Sequence, residues 1–147
     1  MGQPVNNLPS DVREAVITRL EEAPVSLALL FGSYATGRAT IGSDVDIAVE
    51  YDDSLEDLTN THLSLVTDLT RILGRDDVDV VRITSVDPRI AVEALEQGEL
   101  LIGTDEDAAQ LRDRLEPARK RQEELVQRRI EDAERTIQRR LQRREHG

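Results

Sequence analysis

Residues 30–49 read LFGSYATGRATIGSDVDIAV and hold the strongest structural signal in the chain. They begin at the end of a short apolar run, Val25–Phe31, which lies between Pro24 and Gly32 and therefore predicts a buried central strand. A loop containing several Gly, Ser and Thr residues follows. Apolar residues then alternate with aspartates and an alanine over residues 44–49, which predicts a second, half-buried strand.

Two aspartates of this second strand predict a metal site. Asp44 and Asp46 stand at i and i+2, so both side chains project from one face, about 7 Å apart along the strand. Carboxylates this close repel each other unless a cation lies between them. Mg²⁺ suits oxygen ligands and usually takes substrate phosphate oxygens as well. Asp79 adds a third carboxylate if its predicted strand, residues 78–83, lies beside the second; the alternative is an acidic strand with no chemistry.

The loop between the two strands offers candidate phosphate ligands. Gly32 permits close approach of the backbone to a phosphate, and Ser33 adds a hydroxyl and an N–H donor. Arg38 is a further candidate, with an ordinary surface position in the loop as its alternative. Ser43 directly precedes the aspartate pair.

The remaining pattern alternates helices and strands and predicts an α/β (α+β) fold with a small sheet. The predicted helices are Ser10–Glu22, one that starts with a capping box at Ser54 and Asp57 and ends at Gly74, and one from Pro88 to Gly98. Residues 99–103 predict a short edge strand. His62 falls in the seam of the second helix, where a half-buried core role is expected.

The C-terminal part differs in character, and we expect two units: residues 1–104 as the core and residues 105–147 as a helical, Arg-rich extension. Thr104 and Asp107 form a capping box, and Pro117 is expected to break or kink the helix. A narrow apolar stripe then runs among charged residues. It fits either a solvated helix or a helix that binds a partner or a second copy of the chain.

Composition excludes several classes of protein. The chain has 147 residues, 30 acidic and 19 basic, for a net charge of −11, which argues against a general nucleic-acid coat or a polybasic membrane binder. Residues 111–147 are locally basic, with 12 basic against 8 acidic side chains. The absence of cysteine excludes disulfides and thiolate metal sites. No apolar run reaches the roughly 20 residues of a membrane span and no signal peptide is recognisable, so we expect a cytoplasmic protein.

The central run resembles the minimal nucleotidyltransferase (MNT) group of the superfamily that includes DNA polymerase β. The group's signature is G-S-x-A-x-G-x(5)-S-D-x-D, and the positions that match it are Gly32, Ser33, Ala35, Gly37, Ser43, Asp44 and Asp46. The resemblance extends over roughly residues 10–104. It implies a nucleotidyltransferase fold, with a small mixed sheet flanked by helices.

The resemblance also implies roles for the site residues. Asp44 and Asp46 are expected to bind two Mg²⁺ ions, and Asp79 to join one metal and help activate an attacking hydroxyl. Gly32 and Ser33 are expected to hold the β- and γ-phosphates of the nucleotide, with ATP as the donor. The implied reaction is in-line displacement at the α-phosphorus between two metal ions.

Many members of the MNT group are paired with a HEPN-domain ribonuclease in a toxin–antitoxin system. The resemblance therefore implies an antitoxin that transfers AMP to a hydroxyl, such as a tyrosine of the toxin. Two alternatives stay open: an antitoxin that neutralises its toxin by binding alone, and a nucleotidyltransferase for a small molecule of the aminoglycoside type.

Overall fold

The computed structural model describes residues 8–32, 44–52 and 57–146, and these form four strands, four α-helices and one 3₁₀ turn. The loop 33–43, which contains Ser33, Arg38 and Ser43, lies outside the described residues. In chain order the elements are α1 Ser10–Glu22, β1 Val25–Phe31, β2 Val45–Tyr51, α2 Leu58–Leu73, β3 Val78–Arg82, the 3₁₀ turn Ile83–Ser85, α3 Pro88–Gln97, β4 Glu99–Ile102 and α4 Asp105–His146.

The strands form one mixed sheet in the order β3-β2-β1-β4. β1 is antiparallel to both β2 and β4, whereas β2 and β3 are parallel. The parallel pair requires a crossover connection, which α2 supplies. This arrangement confirms the predicted small mixed sheet flanked by helices.

The sheet is covered on both faces, and the period of two along the strands decides which residues face each layer. One apolar cluster joins α1 and α2 to β2 residues such as Val45, Ile47 and Val49. The other cluster joins the opposite face, including Leu29 and Ala48, to α3 and to the first turns of α4. Asp46 has the same strand phase as Ala48, so it lies on the face that carries α3 and α4.

The start of α2 differs from the predicted capping box at Ser54 and Asp57. Asp57 is itself the N-cap, and its carboxylate accepts a hydrogen bond from the N–H of Asn60 at 3.4 Å. Ser54 lies outside the described residues, and the predicted place of Asp57 in the first turn is wrong, because Asp57 is the N-cap. The predicted end is confirmed, since Gly74 adopts a left-handed conformation with φ 66°.

α4 runs without interruption from Asp105 to His146 and contains Pro117. The capping box is confirmed: the Asp107 N–H donates to the Thr104 hydroxyl and the Thr104 N–H donates to the Asp107 carboxylate, both at 3.1 Å. Of the expected break or kink at Pro117, the break is wrong, because the helix continues through the proline. Packing holds the helix before Pro117, and ion pairs from Arg119 to Glu116 and Glu123 span the turns around it.

No helix in the described ranges has the length and apolar character that crossing a membrane requires.

Candidate active site

The three predicted carboxylates come from one end of the parallel strand pair. Asp46 on β2 is directly paired with Asp79 on β3, and Asp44 immediately precedes β2. Because the two strands run in the same direction, all three residues lie where β2 and β3 begin. The structure therefore places the strand of Asp79 beside that of Asp46, which is the condition under which the sequence predicted a third carboxylate.

The electrostatics of Asp46 reflect this arrangement. Burial raises the pKa of Asp46, and the negative charges of Asp79 and then Asp44 raise it further. All three carboxylates thus act on one small region, in which a divalent cation would relieve the repulsion.

The side chains are not already arranged as a metal cluster. Within the ranges 8–32, 44–52 and 57–146, no three carboxylate or imidazole groups stand ready to hold one ion. Asp46 is half-buried, whereas Asp44 and Asp79 are exposed. The two exposed carboxylates can rotate about backbone positions that the strands fix. Oxygen donors with this freedom fit the chemistry of Mg²⁺, which takes few protein ligands and retains waters or phosphate oxygens.

Gly32 lies against the carboxylate of Asp46. The last residue of β1, Phe31, is paired with Asp46, and Gly32 then turns the chain with φ 73°. A Cβ atom at Gly32 would stand 2.7 Å from Oδ2 of Asp46, closer than such atoms approach. Both the positive φ and this close approach favour glycine. The position predicted to approach a phosphate thus also borders the central carboxylate.

His62 links α2 to both strands behind the carboxylates. Its Nε2 lies 3.0 Å from the carbonyl oxygen of Val80, and its Nδ1 lies 2.7 Å from the hydroxyl of Tyr51. A carbonyl only accepts, so in the neutral ring Nε2 carries the proton and Nδ1 accepts from the tyrosine. The expected half-buried position of His62 is confirmed. Sequence reasoning missed its link to Val80, the neighbour of Asp79.

A second feature that sequence reasoning missed lies at the entry to β3. The carbonyl of Asp77 accepts a hydrogen bond from the N–H of Val45 at 3.0 Å, and its side chain forms an ion pair with Arg75. The hydrogen bonds from Arg75 lower the pKa of Asp77, so this carboxylate stays ionised and partnered. The only sequence signal is the i, i+2 spacing of opposite charges, which is common in loops.

Two relatives of known description match parts of the chain. One is an inferred protein adenylyltransferase of Methanocaldococcus jannaschii, 37% identical over 68 residues, which are 46% of this chain and 67% of that protein. The other is the protein adenylyltransferase MntA of Shewanella oneidensis, 35% identical over 83 residues. That match spans 56% of this chain and 58% of MntA.

Solved structures resemble the fold over most of its length. A chain in a crystal structure of a toxin–antitoxin with AMP-PNP matches with a TM-score of 0.69 and 28% identity, covering 82% of this chain and 97% of that one. A chain in the complex of a tri-AMPylated Shewanella oneidensis HEPN toxin with its MNT antitoxin matches with a TM-score of 0.65 and 26% identity, covering 83% and 95%.

The family model described as polymerase beta, nucleotidyltransferase matches residues 14–107. That range contains β1, β2 and β3, and with them Asp44, Asp46 and Asp79. It includes well over half of the sequence, and the chain therefore belongs to the polymerase beta nucleotidyltransferase family.

Proposed function

We propose that this chain is a Mg²⁺-dependent protein adenylyltransferase and acts as the antitoxin of a HEPN-domain toxin. The observation that carries the proposal is the pairing of Asp46 with Asp79 across parallel strands, with Asp44 beside them and Gly32 against Asp46. The relatives support the reaction, since two are described as protein adenylyltransferases. The HEPN toxin complex supports the partner.

The reaction is a displacement at the α-phosphorus of ATP. A hydroxyl oxygen of the acceptor forms the new bond to phosphorus, the bond to the bridging oxygen of the β-phosphate breaks, and pyrophosphate leaves. The hydroxyl proton passes to Asp79 or to a water beside it. When bound, two Mg²⁺ ions supply charge neutralisation for the attacking and leaving oxygens. Asp44 and Asp46 are the residues that would hold them, with Asp79 joining one.

The nucleotide is proposed to lie over the turn that follows β1. Gly32 gives the β- and γ-phosphates room to approach the backbone, and Ser33 donates to them. Arg38 and Ser43 are proposed as further ligands of the nucleotide. We assign this chemistry to a core of residues 1–104, with residues 105–147 as an extension that leaves the acceptor to be supplied by the partner.

The direct test uses the chain together with a HEPN-domain toxin, sought first as the product of the neighbouring gene. ATP labelled at the α-phosphate should transfer label to the toxin in the presence of Mg²⁺, whereas ATP labelled at the γ-phosphate should not. This pair of labels separates adenylyl transfer from phosphoryl transfer. Tyr→Phe variants of the toxin then identify the acceptor hydroxyl.

Asp44→Asn should abolish transfer and leave the fold intact. Asp76→Asn is the matched control, because Asp76 is an exposed acid in the loop before β3 to which the proposal gives no metal or nucleotide role. Absence of label with the wild-type chain and a folded toxin would reject the proposal. If Asp44→Asn still neutralised the toxin in cells, the chain would be an antitoxin that acts by binding. Label on an aminoglycoside alone would indicate a small-molecule transferase.

A further inference from the structure

The second half of α4 extends beyond the folded body. Every side chain from Gln127 to Glu145 is exposed, so the other described parts of the chain do not bury any of these 19 residues. They span about 28 Å at the rise of an α-helix. Helices of this length are marginal in water when nothing packs against them. This part of α4 therefore lacks the stabilising contact that long helices usually have.

One face of this segment is apolar. Ile130, Ile137 and Leu141 are 46%, 57% and 54% exposed, which is high for large aliphatic side chains. With Val126 and Ala133 they recur every three or four residues, so they lie along one stripe of the helix. We call residues 123–144 the distal stripe. A narrow stripe of this kind is typical of a helix that packs against one other helix.

Charged residues at the two ends of the distal stripe have opposite signs. Glu123 and Arg144 each lie seven residues outside an isoleucine of the stripe, Ile130 and Ile137 respectively, and therefore continue the same face. Glu123 is held in place within its own helix by an ion pair with Arg119. The stripe thus runs from an acidic end, through apolar residues, to a basic end.

The outer residues of the stripe are symmetric about the point between Ala133 and Glu134, and the reversal exchanges these two residues at the centre. Reversal about that point brings Ile130 onto Ile137 and Val126 onto Leu141. The same reversal brings Glu123 onto Arg144, so two copies laid antiparallel would match these two apolar pairs and set acid against base. A parallel pair would instead place Glu123 against Glu123 and Arg144 against Arg144, which is unfavourable.

We infer that the distal stripe docks on the distal stripe of a second copy of this chain, with the two helices antiparallel. The interface is isologous, since each copy contributes the same residues. It lies outside residues 14–107, the range that the family model matches, and it does not depend on the proposed enzymatic activity.

Light scattering after gel filtration tests this inference on the full chain. The expected mass is twice the chain mass of 16.5 kDa. Ile137→Glu should raise the dissociation constant of the dimer by about tenfold or more. Leu63→Glu is the matched control, because Leu63 is a 59% exposed leucine on α2 and its replacement should leave the mass unchanged. Circular dichroism checks that both variants fold.

Charge exchange tests the orientation. Glu123→Arg and Arg144→Glu should each weaken the dimer, and the double variant should restore it, because the antiparallel pair then regains two opposite charges. If the wild-type chain kept the mass of one copy at concentrations up to about 100 μM, the inference would be overturned. Weakening by both single variants without restoration in the double variant would also overturn it. If Ile137→Glu changed toxin binding but not the mass of the isolated chain, the stripe would be assigned to the toxin instead.

Discussion

Gly32 and the carboxylate of Asp46 lie so close that a methyl group on Gly32 would stand 2.7 Å from Oδ2. Gly74 provides a comparison, because it has a similar positive φ, 66° against 73°, with nothing within 4 Å of its would-be Cβ. The backbone strain that a larger residue would suffer is therefore similar at the two positions. The contact with Asp46 distinguishes Gly32 from Gly74.

Gly32→Ala and Gly74→Ala are each expected to lower the free energy of unfolding by about 1 kcal/mol through backbone strain. Gly32→Ala should cost more, because Asp46 must also move, and it should lose AMP transfer, which Gly74→Ala retains. Urea unfolding and transfer of α-labelled AMP measure the two effects. Equal activity in the two variants would show that the close approach to Asp46 has no functional importance.

Asp46→Asn should reduce AMP transfer at least about a hundredfold, because it removes a proposed metal ligand at the centre of the site. The same substitution should raise the free energy of unfolding. Since the pKa of Asp46 is raised in the folded state, the contribution of this one carboxyl group to stability is fully present below its unfolded pKa and is lost as pH rises through its folded pKa. Asp46→Asn lacks this loss. The difference in free energy of unfolding between the variant and the wild type should therefore grow between the unfolded and the folded pKa of Asp46 and then level off.

Mg²⁺ provides an independent readout of the same residue. At neutral pH, the ion should raise the melting temperature of the wild-type chain more than that of Asp46→Asn, because only the wild-type site offers the full negative charge. Differential scanning calorimetry with Mg²⁺ or EDTA measures this difference. An identical shift in both proteins would place metal binding away from Asp46.

The hydrogen bond between Tyr51 and His62 should contribute measurable coupling. Tyr51→Phe keeps the ring and removes the hydroxyl, which leaves Nδ1 of His62 without this donor. The expected loss is about 1 kcal/mol. A double-mutant cycle with His62→Ala should give a coupling energy of similar size. Additive effects of the two substitutions would show that the hydrogen bond does not stabilise the fold.

Pro117→Ala should stabilise α4. The proline has no N–H, so the carbonyl of Asp113 lacks its helical partner, and alanine restores the hydrogen bond. We expect a gain of about 1 to 3 kcal/mol in the free energy of unfolding and a larger helical signal in circular dichroism. Loss of helical signal would indicate that Pro117 has a structural role that its place in a continuous helix does not reveal.

Elements whose pattern is local were predictable from the sequence. α1 and β1 have the predicted bounds, because Pro24 separates an amphipathic helix from a continuous apolar run. From the sequence alone, the pairing of Asp46 with Asp79 could be predicted only on the condition that their strands are neighbours. Strand order depends on contacts between residues that are distant along the chain. The pairing became an expectation through the resemblance to the MNT group, and the structure confirms it.

The features that sequence reasoning missed depend on tertiary contacts, or on which of two residues caps a helix. The spacing of residues along the sequence does not specify either. Ser54 and Asp57 have capping-box spacing, yet Asp57 can cap the helix alone. Pro117 is disfavoured in a helix, yet the helix is continuous there, with packing before the proline and ion pairs from Arg119 across it. The approach of Gly32 to Asp46 follows from the register of β1 and β2, which no local pattern specifies.

The parallel pairing of β2 with β3 has a consequence for biosynthesis. Asp44 and Asp46 emerge together, whereas Asp79 is made only after the whole of α2. A nascent chain that ends before β3 carries two of the acids and cannot complete their arrangement. If the three aspartates form the proposed active site, activity depends on this late, non-local pairing, and a chain that ends before β3 is expected to be inactive.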